Sequence, residues 1–98
     1  MDKNEAREIV RRELDEYRKQ SFNKLSRLVG EQIVVERTGP SGTAYQIEVE
    51  GMWDDPRKVG GDLRVMAAID DGTLLGAFSP LTEGFIITPG GRFSGDES

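Results

Sequence analysis

The sequence predicts an α+β fold: one long N-terminal helix packed on one face of an antiparallel four- to five-stranded meander sheet. Three observations carry this. Apolar residues recur at spacings of three and four from Asp2 to Val29, the period of a helix with one buried face. Apolar residues then alternate with others through Thr43–Trp53 and Asp62–Ile69, as in strands with one wet face. Turn-forming clusters at 38–42, 54–61 and 70–72 separate the runs. A helix laid across a meander gives two layers around one core.

In the helix, Ala6, Val10, Leu14, Tyr17, Ser21, Leu25 and Leu28 share one face. Asp2 followed by Glu5 resembles a capping box, and Gly30 stands where a left-handed terminator belongs. Glu8–Arg12 and Asp15–Lys19 are expected as pairs four apart. From Tyr17 to Gly30 every charge is basic: Arg18, Lys19, Lys24 and Arg27. They complement the negative helix C-terminus; as an anion patch they would be spread too widely, at about 100° per residue. A helix of about 28 residues spans roughly 40 Å, whereas eight-residue strands reach only about 27 Å. The overhang, with Ile9, Phe22 and Val29 flanking the stripe, points to a second contact surface and hence to a homodimer. A frayed N-terminal end, or a break near Gln20–Ser21, is the alternative.

Glu31–Thr38 reads as the first strand through Ile33-Val34-Val35. In Thr43–Trp53 the odd positions are Tyr45, Ile47, Val49, Gly51 and Trp53, and the even ones Gln46, Glu48, Glu50 and Met52. In Asp62–Ile69, Leu63, Val65, Ala67 and Ile69 oppose Arg64, Met66 and Ala68. The latter face is less polar than solvent demands, so partial cover is expected. Asp70-Asp71-Gly72 predicts a tight hairpin with Thr73–Phe78 returning as the fourth strand, broken by Ser79-Pro80. Phe85–Thr88 is either a fifth strand or a covering segment. The inward set is Val10, Leu14, Tyr17, Leu25 and Leu28 against Tyr45, Ile47, Val49, Trp53, Leu63, Val65 and Ile69.

The 98 residues make a single domain, divided into helix (1–30), sheet (31–93) and a loose tail (94–98). A chain of this size buries only about 60–65% of its unfolded surface, so a partner would help. No apolar run approaches the roughly 18 residues of a membrane span, and Met1–Glu5 lacks the apolar core of a signal peptide. A cytoplasmic protein with no membrane partner is the expectation. The net charge of −5 splits into +2 over residues 1–30 and −7 over residues 31–98. An acidic sheet argues against nucleic acid and suits a basic protein partner.

Histidine and cysteine are both absent. Ser-His-Asp and Cys-His mechanisms are therefore excluded within one chain, and a zinc site would have to be built from carboxylates alone. Asp54, Asp55 and Asp62 can meet at one end of the sheet, while Asp70 and Asp71 lie about 25 Å away across one strand. The first trio could take Ca²⁺ or Mg²⁺ through oxygen, but its spacing is not that of an EF-hand. Turn chemistry is the simpler account. Gly60-Gly61-Asp62 has no following Lys-Ser/Thr and precedes a strand, so it is a loop and not a phosphate cradle. Trp53 and Tyr17 are in phase with the core before they are ligand platforms. A small-molecule site would draw on Tyr17, Trp53, Asp54, Asp55, Asp62 and Arg64. No cofactor, metal or catalytic residue is expected.

At Trp53-Asp54-Asp55, 60–65 (Gly-Gly-Asp-Leu-Arg-Val), Ile69-Asp70-Asp71-Gly72, Pro80-Leu81, Phe85-Ile86 and Pro89-Gly90 the chain resembles a group of small bacterial proteins, over roughly its C-terminal half. The resemblance implies no activity, cofactor or catalytic residue. The helix-on-sheet outline also looks like cystatin-type folds, without an inhibitory motif. The expected function is a non-enzymatic, self-associating protein-interaction module. The alternatives are a small-molecule binder with its pocket between helix and sheet and, behind it, a carboxylate- or metal-dependent enzyme on Asp54, Asp55 and Asp62.

Overall fold

Asp2 opens the first helix by accepting from Asn4 N–H and Glu5 N–H, each at 3.1 Å. In this computed structural model, which describes residues 1–73 and 80–94, that helix is α1, Lys3–Arg18. It stops one residue after Tyr17, and Gln20 N–H closes the end by donating to Tyr17 O at 3.0 Å. Ser21 is extended (ψ 158°), and its hydroxyl accepts from Lys24 N–H at 3.2 Å. It is thus an N-cap, and the chain starts afresh as α2, Phe22–Leu25, followed by a 3₁₀ turn, Ser26–Leu28. The helix expected to run unbroken to Val29 is therefore broken at Ser21. A serine on the apolar stripe has no apolar burial to gain, and its hydroxyl offers the backbone a competing bond. Leu25 and Leu28 are buried all the same. Gly30 takes the left-handed conformation (φ +86°) as expected.

The strands are β1 (Ile33–Thr38), β2 (Ala44–Trp53), β3 (Leu63–Asp70) and β4 (Leu81–Ile87). They form one antiparallel sheet in the order β1-β2-β3-β4. The segment expected to be a fifth strand or a cover is thus part of β4, whose residues 81–87 pair with 63–69. The strand expected over Thr73–Phe78 falls, from position 74 on, outside the described residues, as do the tail positions 95–98. Asp70 and Asp71 do build a turn. Their carboxylates accept from Gly72 N–H at 2.8 Å and from the Thr73 hydroxyl at 2.7 Å.

The core lies between the sheet and α1. Ala6, Val10, Leu14 and Tyr17 meet Tyr45, Ile47, Val49, Leu63, Val65, Ala67, Ile69, Phe85 and Ile87, all buried. Trp53, expected inward, is only half-buried and packs against Phe22 with ring centres 6.3 Å apart. The 3₁₀ turn lands on β2 at Gly51, where an added Cβ would lie 3.0 Å from Leu28 Cβ. The missing side chain is what admits the turn.

Polar contacts pin α1 at both sides of the sheet. Glu83 on β4 takes Arg11 Nε at 3.4 Å and Arg7 Nε at 4.0 Å. Arg37 on β1 forks onto Glu13 at 2.9 and 3.3 Å. Glu5 reaches forward rather than back to its cap. It accepts from Tyr45 Oη at 2.6 Å and from the Ser41 hydroxyl and N–H at 2.7 and 3.0 Å. Gly39 leaves room for that carboxylate, since a Cβ there would lie 2.7 Å from Glu5 Cδ. Of the pairs expected along the helix, Arg12–Glu8 forms at 3.7 Å, while Lys19 joins Glu16 at 3.1 Å and Asp15 joins Arg18 at 3.0 Å. No helix among the described residues is long and apolar enough to cross a membrane.

Candidate functional site: the open edge of β1

A terminal strand in a sheet presents a row of unpaired backbone groups. The two terminal strands here differ. On β4, Ile86 O accepts from Ser94 N–H at 2.8 Å, and Thr88 N–H donates to Arg92 O at 2.7 Å. A returning segment, bridged at Ile87 and Phe93, so covers one end of that edge. Along β1, no strand or loop among the described residues pairs with the outer edge.

Which groups face outward follows from the ladder. Gly39 N–H donates to Thr43 O at 2.9 Å, and these residues continue the β1–β2 register one step past Thr38↔Ala44. Hydrogen-bonded and non-bonded pairs alternate along an antiparallel pair. Ile33, Val35 and Arg37 therefore bond to β2, and the N–H and C=O groups of Val34 and Glu36 face out. The Asp54 N–H to Asp62 O bond at 2.9 Å fits the same alternation, since it assigns the even positions of β2 to β3.

The first half of this edge, Ile33-Val34-Val35, carries apolar side chains, and Glu36, Arg37 and Thr38 follow. Val34 is 55% exposed and Ile33 38%. On the helix side of the sheet an open groove of about 430 Å³ is lined by Tyr17, Leu28 and Ile33 together with Lys24, Arg27 and Glu31. A second depression of about 550 Å³ continues past Tyr17 to Ile9, Glu13 and Arg37. Lys24, Arg27 and Glu31 have no ion-pair partner among the described residues. Burial first, and the Glu13 charge second, push the Tyr17 phenol above its ordinary pKa, with Arg37 opposing them. Tyr17 is therefore a neutral wall between the two depressions.

The predicted site residues do not form one site. Tyr17 borders the grooves, and Trp53 walls neither of them. Asp54, Asp55, Asp62 and Arg64 gather instead at the loop joining β2 and β3. There Arg64 Nη2 donates to Asp54 at 2.7 Å, and Asp55 accepts from Arg57 N–H at 3.0 Å and Nε at 3.3 Å. No group of three acidic side chains able to hold a metal ion occurs among the described residues. The four basic residues of 18–27 are also dispersed. Arg18 pairs with Asp15 and stacks 5.0 Å over Phe85, Lys19 pairs with Glu16, and only Lys24 and Arg27 share the groove.

Sequence reasoning did not single out Val34 or Ile33. The available signal was the unbroken Ile33-Val34-Val35 run, which must put one apolar side chain on the solvent face. The chain matches no family model, no curated protein and no solved structure.

Proposed function

We propose that the protein is a non-enzymatic interaction module that self-associates as a homodimer in the cytoplasm. The observation that carries this is the edge of β1, which no strand or loop among the described residues pairs, with exposed Val34 and Ile33. Unpaired N–H and C=O groups next to apolar side chains give main-chain bonding and burial together, the combination used in strand addition. The outer sheet face carries Glu36, Glu48 and Glu50 opposite the core-facing residues, so a further partner on that face would be a basic protein. The test is size-exclusion chromatography with light scattering over a wide concentration range. A mass of twice 10.9 kDa supports the proposal, and a mass of one chain throughout refutes it.

A second function has one observation in its favour. The groove at Tyr17, about 430 Å³ with Lys24 and Arg27 at its margin, falls within the size range of small-molecule sites. A small anionic metabolite held there would raise the melting temperature, and a metabolite screen without any shift would exclude it.

A further inference from the structure

We infer that two copies join β1 to β1 about a two-fold axis through Val34, making one continuous eight-stranded sheet with both helical layers on the same side. This rests on the self-association proposed above and specifies its surface and register.

A two-fold axis perpendicular to a sheet pairs antiparallel strands so that residue i of one copy faces residue j of the other with i + j constant and even. The outward groups of β1 belong to even positions, so the axis must bring even positions opposite one another as bonded pairs. Centred on Val34, the bonded pairs are Val34 with Val34 and Gln32 with Glu36, which together provide about six main-chain hydrogen bonds. The side chains then match on both faces. On the outer face Val34 meets its own copy, and the Gln32 amide, which already donates to Glu48, lies opposite the Glu36 carboxylate. On the helix face Ile33 meets Val35, and Glu31 lies opposite Arg37. Glu31 has no ion pair among the described residues, and Arg37 holds only Glu13 and its neighbour's carbonyl. Each copy thus offers a free carboxylate where the other presents a guanidinium, and symmetry makes the pairing twice.

The neighbouring registers lack this match. An axis at Val35 places Ile33 opposite Arg37 and Val34 opposite Glu36. An axis at Glu36 sets two Glu36 carboxylates against each other, which is destabilising for like charges directly across a pair.

Because the chain has no cysteine, one introduced thiol reports the register. In Val34→Cys the two Cα atoms would be about 5.5 Å apart at a bonded pair, within disulfide reach. In Glu36→Cys they would be four residues out of step, about 13 Å apart. Under mild oxidation V34C should run as a covalent dimer on non-reducing gels while E36C remains a single chain. Glu31→Arg, which sets two guanidinium groups opposite each other at each end of the seam, should weaken the dimer at least tenfold, and the neutral Glu31→Gln should weaken it less. If E36C cross-links as readily as V34C, or if neither does while the parent chain is dimeric, the Val34-centred register is overturned and self-association stands. A parent chain monomeric by light scattering overturns both.

Discussion

Replacing Gly51 tests how closely the 3₁₀ turn sits on the sheet, because two effects of opposite sign compete there. Alanine in a strand removes some of the freedom of the unfolded chain and should stabilise by about 0.4–1 kcal/mol. Its Cβ would, however, lie 3.0 Å from Leu28 Cβ and 3.3 Å from Val29 N. The second of these is backbone, tied down by the Val29 N–H to Ser26 O bond at 3.2 Å and followed by the Glu31 N–H to Leu28 O bond at 3.3 Å. The turn cannot swing aside as a side chain would, and overpacking of this kind costs about 1–3 kcal/mol. Crowding should win, leaving Gly51→Ala destabilised by about 1 kcal/mol and its Tm lower by about 4–8 °C. Valine at the same position should lower it further. Gly90→Ala is the control: its nearest non-neighbouring atom would be Thr88 Oγ1 at 3.8 Å, so only the entropy gain applies and the Tm should hold or rise. Thermal unfolding followed by circular dichroism, with Trp53 fluorescence reporting on Phe22 beside it, reads all three. A G51A variant as stable as the parent would show that the turn is not seated on β2 as described.

Ser21→Ala removes the hydroxyl that restarts the helix and should cost about 1 kcal/mol in urea unfolding; no loss would mean that the break is not held by that cap. The hydrogen bonds from Tyr45 first, and from Ser41, hold the Glu5 carboxyl below its ordinary pKa of 4.5. Its contribution is therefore present above that pH and lost as the pH falls through the lowered folded value, so Glu5→Gln should flatten the acid limb of a Tm–pH curve. Burial first, and the Glu5 hydrogen bond second, push the Tyr45 phenol up to about 12 from 10.0. Here the neutral form is favoured on folding, so stability present below pH 10.0 is lost as the pH rises to about 12, and Tyr45→Phe should remove that alkaline step. Asp54→Asn and Asp55→Asn break only solvent-facing pairs with Arg64 and Arg57. Each should change stability by less than about 1 kcal/mol and leave the Tm equally unresponsive to Ca²⁺, Mg²⁺ and Mn²⁺.

The sheet was legible because a period of two admits few alternatives once one face must be buried. The alternation points Tyr45, Ile47, Val49, Leu63, Val65 and Ile69 inward, and all are buried. The helix boundary is legible only as the alternative, a break near Gln20–Ser21, because Ser21 sits in phase with Leu14, Tyr17, Leu25 and Leu28. Periodicity cannot say whether a hydroxyl on the stripe continues a helix or caps a new one. The order of strands was harder still. Thr73–Phe78 and Leu81–Ile87 both carry strand-forming residues after a turn, and the choice of β4 as the partner of β3 depends on pairings distant in sequence. Trp53 shows the limit of the alternation rule, since it has the parity of the core yet lies at the end of β2, where it packs against the margin of the core beside Phe22 and stays half-buried.

The same break governs what the edge of β1 can do. Had the helix run straight to Val29, its last turns would have continued along the axis of α1. Ser21 instead lets Phe22–Leu28 turn down onto Gly51, and the chain then enters β1 through Gly30 with Glu31 and Gln32 exposed beside the edge. Natural sheets blunt an exposed edge with lysine, proline, a bulge or a cover. Among the described residues Ile33-Val34-Val35 has none of these, whereas β4 has both a returning segment and an acidic residue, Glu83, drawn to α1 by Arg7 and Arg11. An edge of this kind is a template for strand addition, and in the pairing proposed above one partner strand would fill it. Glu31 and Arg37, at opposite ends of that run, would choose the register of the proposed pair.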